Sequence, residues 1–334
     1  MATMKDISKM AGVSIATVSA VINKSAYVSP ELTDRVNKAI EELNYRPNAV
    51  ARSLKLKSTN TVGVIMSDIL NPYYPTIIKG MDDAAIQNNY SLILCNTSNE
   101  QGRFLTYLDL MVEKRVDGLL LANISSQEDL QKVESTGLKY VLLNRKPPAY
   151  DKNYVGINNP LATELSVKHL AKQGHKRIAY LSGDLQVSTA RERWEGFVSG
   201  MNQNGLPIDD TLIFHGDYTQ ESGYANVKKM LGEVKELPDA ICAASDLVAF
   251  GAVKALREAG IRVPDDIAVM GNDNNPFSEN FIVPLSTIAH PTYEMGKNAM
   301  EFLLQMIENQ NEIHHRQIIL TPSLIVRESC GSSA

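Results

Sequence analysis

Beyond residue 60, short apolar runs alternate along the chain with longer segments that have the hydrophobic spacing of helices. The strand-like runs include TVGVIMSD, SLILCNT, VDGLLLAN, KYVLLNR, RIAYLSG, AICAAS and IAVMGND. Helical segments lie between most of them, for example at 73–89, 160–173, 188–204, 219–232, 246–259 and 292–309. Uninterrupted apolar strands separated by helices predict parallel sheets that are covered by helices on both faces.

This alternation occurs twice, at 61–159 and again at 177–290, and it predicts a body of two doubly wound α/β lobes. The helix at 292–309 and the strands of QIILTPSLIV then cross back between the lobes. The predicted limits are an N-lobe of about 61–160 plus 292–318 and a C-lobe of about 161–291 plus 319–334.

Residues 1–47 follow a different pattern, which predicts an all-α headpiece. A short helix at Asp6–Met10 is followed by Gly12, which provides a sharp turn, and by Ser14, which caps a second helix. A third helix follows at 29–43, with a serine cap and a proline in its first turn. The headpiece is therefore expected to contain a helix-turn-helix.

The second helix, in VSIATVSAVINKS, has two unlike apolar faces. Val18, Val21 and Ile22 fall within one arc and are expected to pack against Ile7 and Ala11 of the first helix.

The opposite face of this helix carries the small residues Ala16 and Ala20. Long side chains there would hold the helix away from a surface, whereas alanines permit a close approach. Ile15, Ala16 and Ala20 could contact thymine methyl groups in a DNA major groove. Short hydrogen-bonding side chains for phosphates and base edges come from Ser14, Thr17, Ser19 and Asn23.

Residues 48–60 are predicted to form a hinge helix and a linker. The helix, Asn48–Lys55, is too short to be stable alone and needs a partner such as its copy in a dimer bound to DNA. Leu54 would then insert between base pairs from the minor groove, flanked by Arg52 and Lys55. A plain interdomain linker is the alternative.

The charge distribution agrees with a nucleic-acid partner for the headpiece alone. Residues 1–60 carry a net charge of +4, whereas the rest of the chain carries −9. A basic segment on an acidic body favours contact with a polyanion through that segment. Ordinary variation of surface charge is the alternative.

The stretch MKDISKMAGVSIATVSAVINK, with VSPELTDRVNKAIEELNYRPNAVARSLK, resembles the DNA-binding head of the lactose/purine-repressor (LacI) family. The resemblance implies that Ile15 and Ala16 read bases and that Leu54 is the intercalating hinge leucine. Ala20 departs from the family, which often has Arg or His there, so base discrimination at this position should be weaker or methyl-based. The full set of expected DNA contacts is Thr3, Ser14, Ile15, Ala16, Thr17, Ala20, Asn23, Tyr45, Asn48, Arg52, Leu54 and Lys55.

Polar residues end most strands of the body, where ligands of doubly wound sheets bind. Together with the aromatics of NPYY they suit a polyhydroxylated ligand such as a sugar. Polar strand ends are also ordinary helix caps. For Asp246, which begins the helix LVAFGAVKAL, capping and ligand contact are equally plausible.

The body also resembles the same family and the periplasmic sugar-binding proteins, through NPYY, KRVDGLLL, RERWEGF, HGDYTQESGY, ASDLVAFGAVKALREAGIRVPDDIAVMGNDN and LSTIAHP. This resemblance implies a periplasmic-binding-protein-like (type I) core with an effector pocket between the lobes. The implied effector contacts are Tyr73, Arg145, Arg193, Tyr218, Ser245 and Asp273. Asn272 and Ser245 depart from the family's usual residues, so the identity of the effector does not transfer.

Arg145 and Arg193 would bring two cations to one ligand if both face the cleft, which favours a carboxylated or phosphorylated sugar. The alternative is that Arg145 pairs with Asp68 or Asp217.

No catalytic set, cofactor motif or metal-ligand spacing is apparent, so we expect neither an enzyme nor a cofactor or metal. His314 and His315 are adjacent and would point apart on a strand. Three scattered cysteines, the lack of a signal peptide and the lack of a membrane span predict a cytoplasmic protein.

We therefore predict a transcriptional regulator, most simply a repressor, whose affinity for a palindromic operator is controlled by a sugar-like effector. One recognition helix covers only a half-site, which predicts a homodimer; the lack of a leucine-heptad tail favours a dimer over a tetramer. The alternatives are a sugar-binding protein that serves a transporter and an enzyme that closes on a sugar. The sequence leaves open whether the effector releases the operator or strengthens its binding.

Overall fold

The computed structural model describes residues 2–23, 25–45, 58–100, 102–308 and 315–331. The chain forms two compact units, Met1–Thr59 and Asn60–Ala334. No helix within the described residues is both long enough and apolar enough to cross a membrane.

The described part of the headpiece contains α1 (Met4–Ala11), α2 (Ile15–Asn23) and α3 (Pro30–Glu42). Thr3 and Asp6 form a capping box, which starts α1 two residues earlier than predicted. Gly12 ends α1 with φ 62°, a left-handed conformation that glycine adopts without strain. The predicted helix-turn-helix is confirmed.

The three headpiece helices share one small hydrophobic core. Its buried members are Ile7, Ala11, Val18, Val36 and Ala39. Val18 is completely buried, and Val21 and Ile22 pack against the same cluster while remaining partly exposed. The prediction that this face of α2 packs on α1 is therefore confirmed.

The second unit, the body, is built from two parallel sheets and the helices that cover them. Its helices are α4 (Tyr74–Gln87), α5 (Arg103–Glu113), α6 (Gln127–Ser135), α7 (Asn159–Lys172), α8 (Ser188–Gln203), α9 (Gln220–Glu233), α10 (Asp246–Glu258) and α11 (Thr292–Glu308). Its strands are β1 (Thr61–Met66), β2 (Ser91–Asn96), β3 (Gly118–Leu121), β4 (Lys139–Leu143), β5 (Tyr154–Ile157), β6 (Ile178–Leu181), β7 (Ile213–Phe214), β8 (Ala240–Ala243), β9 (Ala268–Met270), β10 (Thr287–Ala289), β11 (Gln317–Leu320) and β12 (Ser323–Ile325).

The N-lobe sheet has the order β11-β5-β4-β3-β1-β2, and all its pairs are parallel. The C-lobe sheet, β7-β6-β8-β9, is also parallel. β10 and β12 form a separate antiparallel pair. Two isolated parallel bridges, Met270 to Ser286 and Asp273 to Ala289, align β9 and the chain after it with β10.

Helices cover both faces of each sheet. In the N-lobe, α4 and α11 bury one face while α5 and α6 bury the other. In the C-lobe, α9 and α10 pack on one face, and α7 and α8 on the other. A Cβ atom at Gly80 would lie 2.1 Å from the Tyr293 carbonyl oxygen, and one at Gly296 would lie 1.9 Å from that of Ile77. Glycine is therefore required where α4 crosses α11.

The fold prediction, an all-α headpiece followed along the chain by two doubly wound α/β lobes, is confirmed. All six helices cited from the sequence are present, with ends that differ by at most two residues. β11 continues to Leu320 in the N-lobe sheet because all four of its residues pair with β5. The chain therefore leaves that sheet two residues beyond the predicted limit at 318.

Candidate functional sites: the headpiece and the interlobe cleft

Ser14 caps α2 as the sequence predicts. Its hydroxyl accepts a hydrogen bond from the Thr17 backbone N–H at 3.0 Å, and the two side-chain oxygens lie 2.8 Å apart. Both hydroxyls therefore hold the start of the helix, at the end that a helix-turn-helix presents to base edges.

The outer face of α2 is shallow and mainly apolar. Ile15 is 49% exposed, Ala16 is exposed and Ala20 is half-buried, whereas Val18 is completely buried. The long apolar side chain of Ile15 is thus available for contact with a thymine methyl group, and the alanines let the helix approach closely.

Three of the other predicted DNA contacts take part in the headpiece's own structure. The Thr3 hydroxyl donates to Asp6 at 2.7 Å, and the Asn23 amide donates to the Ser19 carbonyl at 2.9 Å. Tyr45 packs against the headpiece core. The remaining four, Asn48, Arg52, Leu54 and Lys55, lie outside the described residues.

Arg35 on α3 was missed by the sequence analysis and fixes the turn of the helix-turn-helix. One of its Nη atoms donates to the Ala11 carbonyl at 2.6 Å and to the Gly12 carbonyl at 3.4 Å. These carbonyls end α1, where a cation is favourable because the helix dipole is negative there.

Arg193 lies at the carboxyl ends of the C-lobe strands β8 and β9. It extends from α8, is only 4% exposed, and donates to Asn159 Oδ1 at 3.0 Å and to the Ala244 carbonyl. A third contact places its Nη2 3.4 Å from Asp273 Oδ1. Burial opposes the charge on Arg193, but nearby Tyr218 and Asp273 raise its pKa, so the guanidinium is charged.

Asp273 follows β9 and faces both Arg193 and His290. Burial raises the pKa of Asp273 to about 8, although the neighbouring guanidinium counteracts part of that rise. His290 follows β10, and its Nδ1 lies 3.8 Å from Asp273 Oδ1. Burial, together with the charge of Arg193, lowers the pKa of His290 well below its ordinary value, so its imidazole is neutral.

Two tyrosines flank this group from opposite lobes. Tyr73 of the N-lobe lies edge-on to the His290 ring, with centroids 5.8 Å apart, and its hydroxyl donates to Asn144 at 3.4 Å. Tyr218 of the C-lobe lies below the Arg193 guanidinium, 5.5 Å from the ring centroid to Cζ. The sequence-predicted Tyr73, Arg193, Tyr218 and Asp273 are thus brought together.

Arg145 follows β4, and within the part of the chain that the structure describes its one hydrogen bond is long, from Nη1 to Asn99 Oδ1 at 3.5 Å. It forms no ion pair with Asp68 or Asp217, the partners offered by the alternative interpretation. Those carboxylates instead accept backbone N–H groups of their own loops.

Ser245 and Asp246, the two residues at the start of α10, have different roles from those that the sequence suggested. Ser245, predicted as an effector contact, caps α10: its hydroxyl accepts from the Val248 N–H at 3.2 Å. The Asp246 carboxylate is completely buried and accepts from the Asn275 N–H at 2.6 Å and from the hydroxyls of Ser278 and Thr287. Asp246 therefore holds the loop after β9 and neither caps α10 with its side chain nor faces a ligand.

Several polar side-chain atoms that follow strand ends are buried without a hydrogen-bond partner among the described residues. Eight buried side-chain polar atoms of the described residues have no hydrogen-bond partner, and five of them belong to Asn123, Arg145, Asn272 and His290. All four residues follow the carboxyl end of a strand. Buried polar atoms are normally paired, so this group has capacity for a polar ligand. Sequence reasoning overlooked His290, because only its burial between lobes distinguishes it.

Comparison with protein-family models agrees with the division into headpiece and body. Residues 3–48 match the family described as bacterial regulatory proteins, lacI family, and residues 167–330 match a periplasmic binding protein-like domain. The chain is 36% identical to the HTH-type transcriptional repressor PurR of Haemophilus influenzae (strain PittEE), over 99% of both proteins. The chain belongs to the LacI family.

Other members of the LacI family support the assignment over the whole length. The PurR repressor of Pasteurella multocida (strain Pm70) is 37% identical over 99% of both chains. A crystal structure of the lac repressor dimer bound to operator and the anti-inducer ONPF has a TM-score of 0.88 at 29% identity, covering 98% of this chain and 99% of that one. A complex of the regulator CelR with cellobiose has a TM-score of 0.76 at 30% identity, covering 98% and 100%.

This LacI-family chain is a DNA-binding transcriptional repressor that responds to a small-molecule effector. Its relatives are repressors and not enzymes, so the prediction that it is not an enzyme is confirmed. The alternatives, a transport sugar-binding protein and a sugar-closing enzyme, are excluded by the headpiece and by the full-length match.

Proposed function

We propose that the protein is a cytoplasmic homodimeric repressor that binds a palindromic operator and senses a sugar or sugar derivative between its lobes. The observation that carries the effector class is the buried group of Arg193, Asp273 and His290 between two tyrosines. Carboxyl, guanidinium and imidazole groups at one point suit the adjacent hydroxyls of a sugar, and a tyrosine ring suits its apolar face. The relative CelR was crystallised with cellobiose, which supports this class.

The homodimer is supported by the size of one headpiece, which covers a half-site, and by the lac repressor relative, which is a dimer on its operator.

The proposed coupling runs through the contacts between the lobes. The Lys146 N–H of the N-lobe donates to the Ser188 hydroxyl of the C-lobe at 3.1 Å, and Tyr73 contacts His290. A ligand inserted here changes the angle between the lobes and so the spacing of the two hinge segments at 48–60. Such coupling between sites typically amounts to about 1–3 kcal/mol.

Operator selection from a random duplex library, with the full-length protein, tests this function. We expect a palindromic sequence whose half-sites lie about one helical turn apart. A panel of neutral sugars, sugar acids, sugar phosphates and purines, added to the protein–operator complex, then identifies the effector. Release marks an inducer and tighter binding a corepressor. A response to purines alone would contradict the sugar class.

The hinge is tested by Leu54→Gly. If residues 48–55 fold on DNA, this variant loses specific operator affinity and keeps effector binding, because glycine removes the intercalating side chain and destabilises the helix. Unchanged operator affinity would contradict the hinge and favour a plain linker.

A further inference from the structure

Arg145 differs from Arg193, the other arginine of the cleft, in how its hydrogen-bond donors are used. Arg193 has an amide, a backbone carbonyl and the Asp273 carboxyl group as partners. Among the described residues, Arg145 has only the neutral Asn99 oxygen at 3.5 Å, the outer limit of a hydrogen bond, and its buried Nε has no partner there. A guanidinium carries five N–H donors, so most of its capacity is unused.

The carboxylates nearest to the cleft are committed elsewhere. Asp273 lies against Arg193, and Glu192 accepts from the Asn159 amide at 2.8 Å. Asp68 and Asp217 accept backbone N–H groups in their own loops. Within the described residues, no carboxylate oxygen lies within 4.0 Å of the Arg145 guanidinium. Its charge therefore has no anion beside it.

Arg145 lies next to a contact between the two lobes. It follows the carboxyl end of β4, and the next residue, Lys146, makes the hydrogen bond to Ser188 of the other lobe. Across the cleft, burial raises the pKa of Tyr218, and the charges of Arg193 and Arg145 both oppose that rise. Arg145 therefore lies close enough to Tyr218 for its charge to act on the same space between the lobes.

We infer that Arg145 forms an anion subsite and that the effector is a sugar carrying a carboxylate or a phosphate. The hydroxyls of such an effector meet Arg193, Asp273 and His290, and its anionic oxygens take the free donors of Arg145. A guanidinium binds either group with two parallel hydrogen bonds. This inference rests on the proposed function, since it requires a sugar in the cleft.

Matched pairs of ligands separate the anionic group from the rest of the sugar. Full-length protein is titrated calorimetrically with glucose and glucuronate, galactose and galacturonate, and ribose and ribose 5-phosphate. At least one acidic member is expected to bind about tenfold or more tightly than its neutral partner, because hydrogen bonds to a charged group contribute at least this much to the binding free energy. Equal binding of both members, or binding of neutral members alone, would overturn the inference, and so would the absence of binding by every acidic member.

Variants then assign the preference to one residue. Arg145→Gln should weaken the acidic ligand about tenfold or more and leave its neutral partner unchanged. Arg145→Lys keeps the charge and loses the two parallel hydrogen bonds, so its affinity for the acidic ligand should lie between those of the wild type and Arg145→Gln. The lysine variant replaces the glutamine variant in this test if the latter does not fold. Arg103→Gln is the matched control, since Arg103 pairs with Glu100 on the surface of the same lobe. Retention of the full acidic preference by Arg145→Gln would refute the subsite.

The ligand titrations distinguish the absence of an anion subsite from the absence of sugar sensing. A neutral sugar that binds the cleft and alters operator affinity would retain the sugar-sensing repressor and remove only the anion subsite. A carboxylate that binds where the phosphate does not, or the reverse, would identify which anionic group Arg145 accepts.

Discussion

Arg193 and Asp273 lie 3.4 Å apart, both almost completely buried, where helix α8 meets the loop after β9. The carboxyl group is shielded from water yet has few donors, so its pKa is raised to about 8 in spite of the guanidinium. A ligand whose hydroxyls donate to Asp273 supplies the missing donors.

The raised pKa of Asp273 predicts a pH-dependent stability of the body. Its folded pKa of about 8 lies above its unfolded value of about 3.9, so the folded state holds more protons between these values. The free energy of unfolding should therefore fall as the pH rises from 5 to 8 because of this group. Urea unfolding of the wild type and of Asp273→Asn across this range measures it. The asparagine variant should lose this part of the slope; equal slopes would contradict the prediction.

Replacement of His290 is expected to affect the stability of the protein and its effector binding in different ways. Both ring nitrogens are buried without partners, so replacing the ring by Phe removes unpaired polar atoms at little cost in packing. We expect His290→Phe to unfold at the same or higher denaturant concentration than the wild type. Effector affinity should fall about tenfold, since the ligand loses a hydrogen-bond partner. A destabilised variant with unchanged affinity would show that the imidazole is structural.

The sequence predicted the fold well and the site only in part, for physical reasons. Apolar runs and helical spacing are local signals, and they located to within two residues the six body helices whose bounds were predicted. Arg193 and Asp273 were found because strand ends and family motifs mark them. His290 was not, since its burial arises only where β10 meets the N-lobe. The role of Asp246 depends on a loop about thirty residues further along the chain, which no local pattern at α10 reveals.

Asp246 is expected to be essential for the stability of the C-lobe and to make no direct contact with the effector. Asp246→Ala would leave three buried donors unpaired, at Asn275, Ser278 and Thr287. The expected loss in the free energy of unfolding is about 3 kcal/mol or more, as each unpaired buried group costs about 1–3 kcal/mol. Asp151→Ala, at an exposed carboxylate, is the control and should change it by less than about 0.5 kcal/mol. Similar losses in both variants would contradict the assigned role.

Neighbouring residues of α2 should separate DNA recognition from headpiece stability. Ile15 is 49% exposed, so Ile15→Ser should leave the thermal midpoint of the headpiece almost unchanged while lowering affinity for the selected operator. The loss is expected at one base-pair position, about 1–3 kcal/mol, with non-specific binding retained. Val18→Ala, three residues along and completely buried, should instead lower the midpoint because it opens a cavity in the small core. Fluorescence anisotropy with operator and with unrelated duplexes, beside thermal unfolding, measures both. If Ile15→Ser weakens both duplexes equally, the side chain does not read a base, and the contact to DNA is made through phosphates alone.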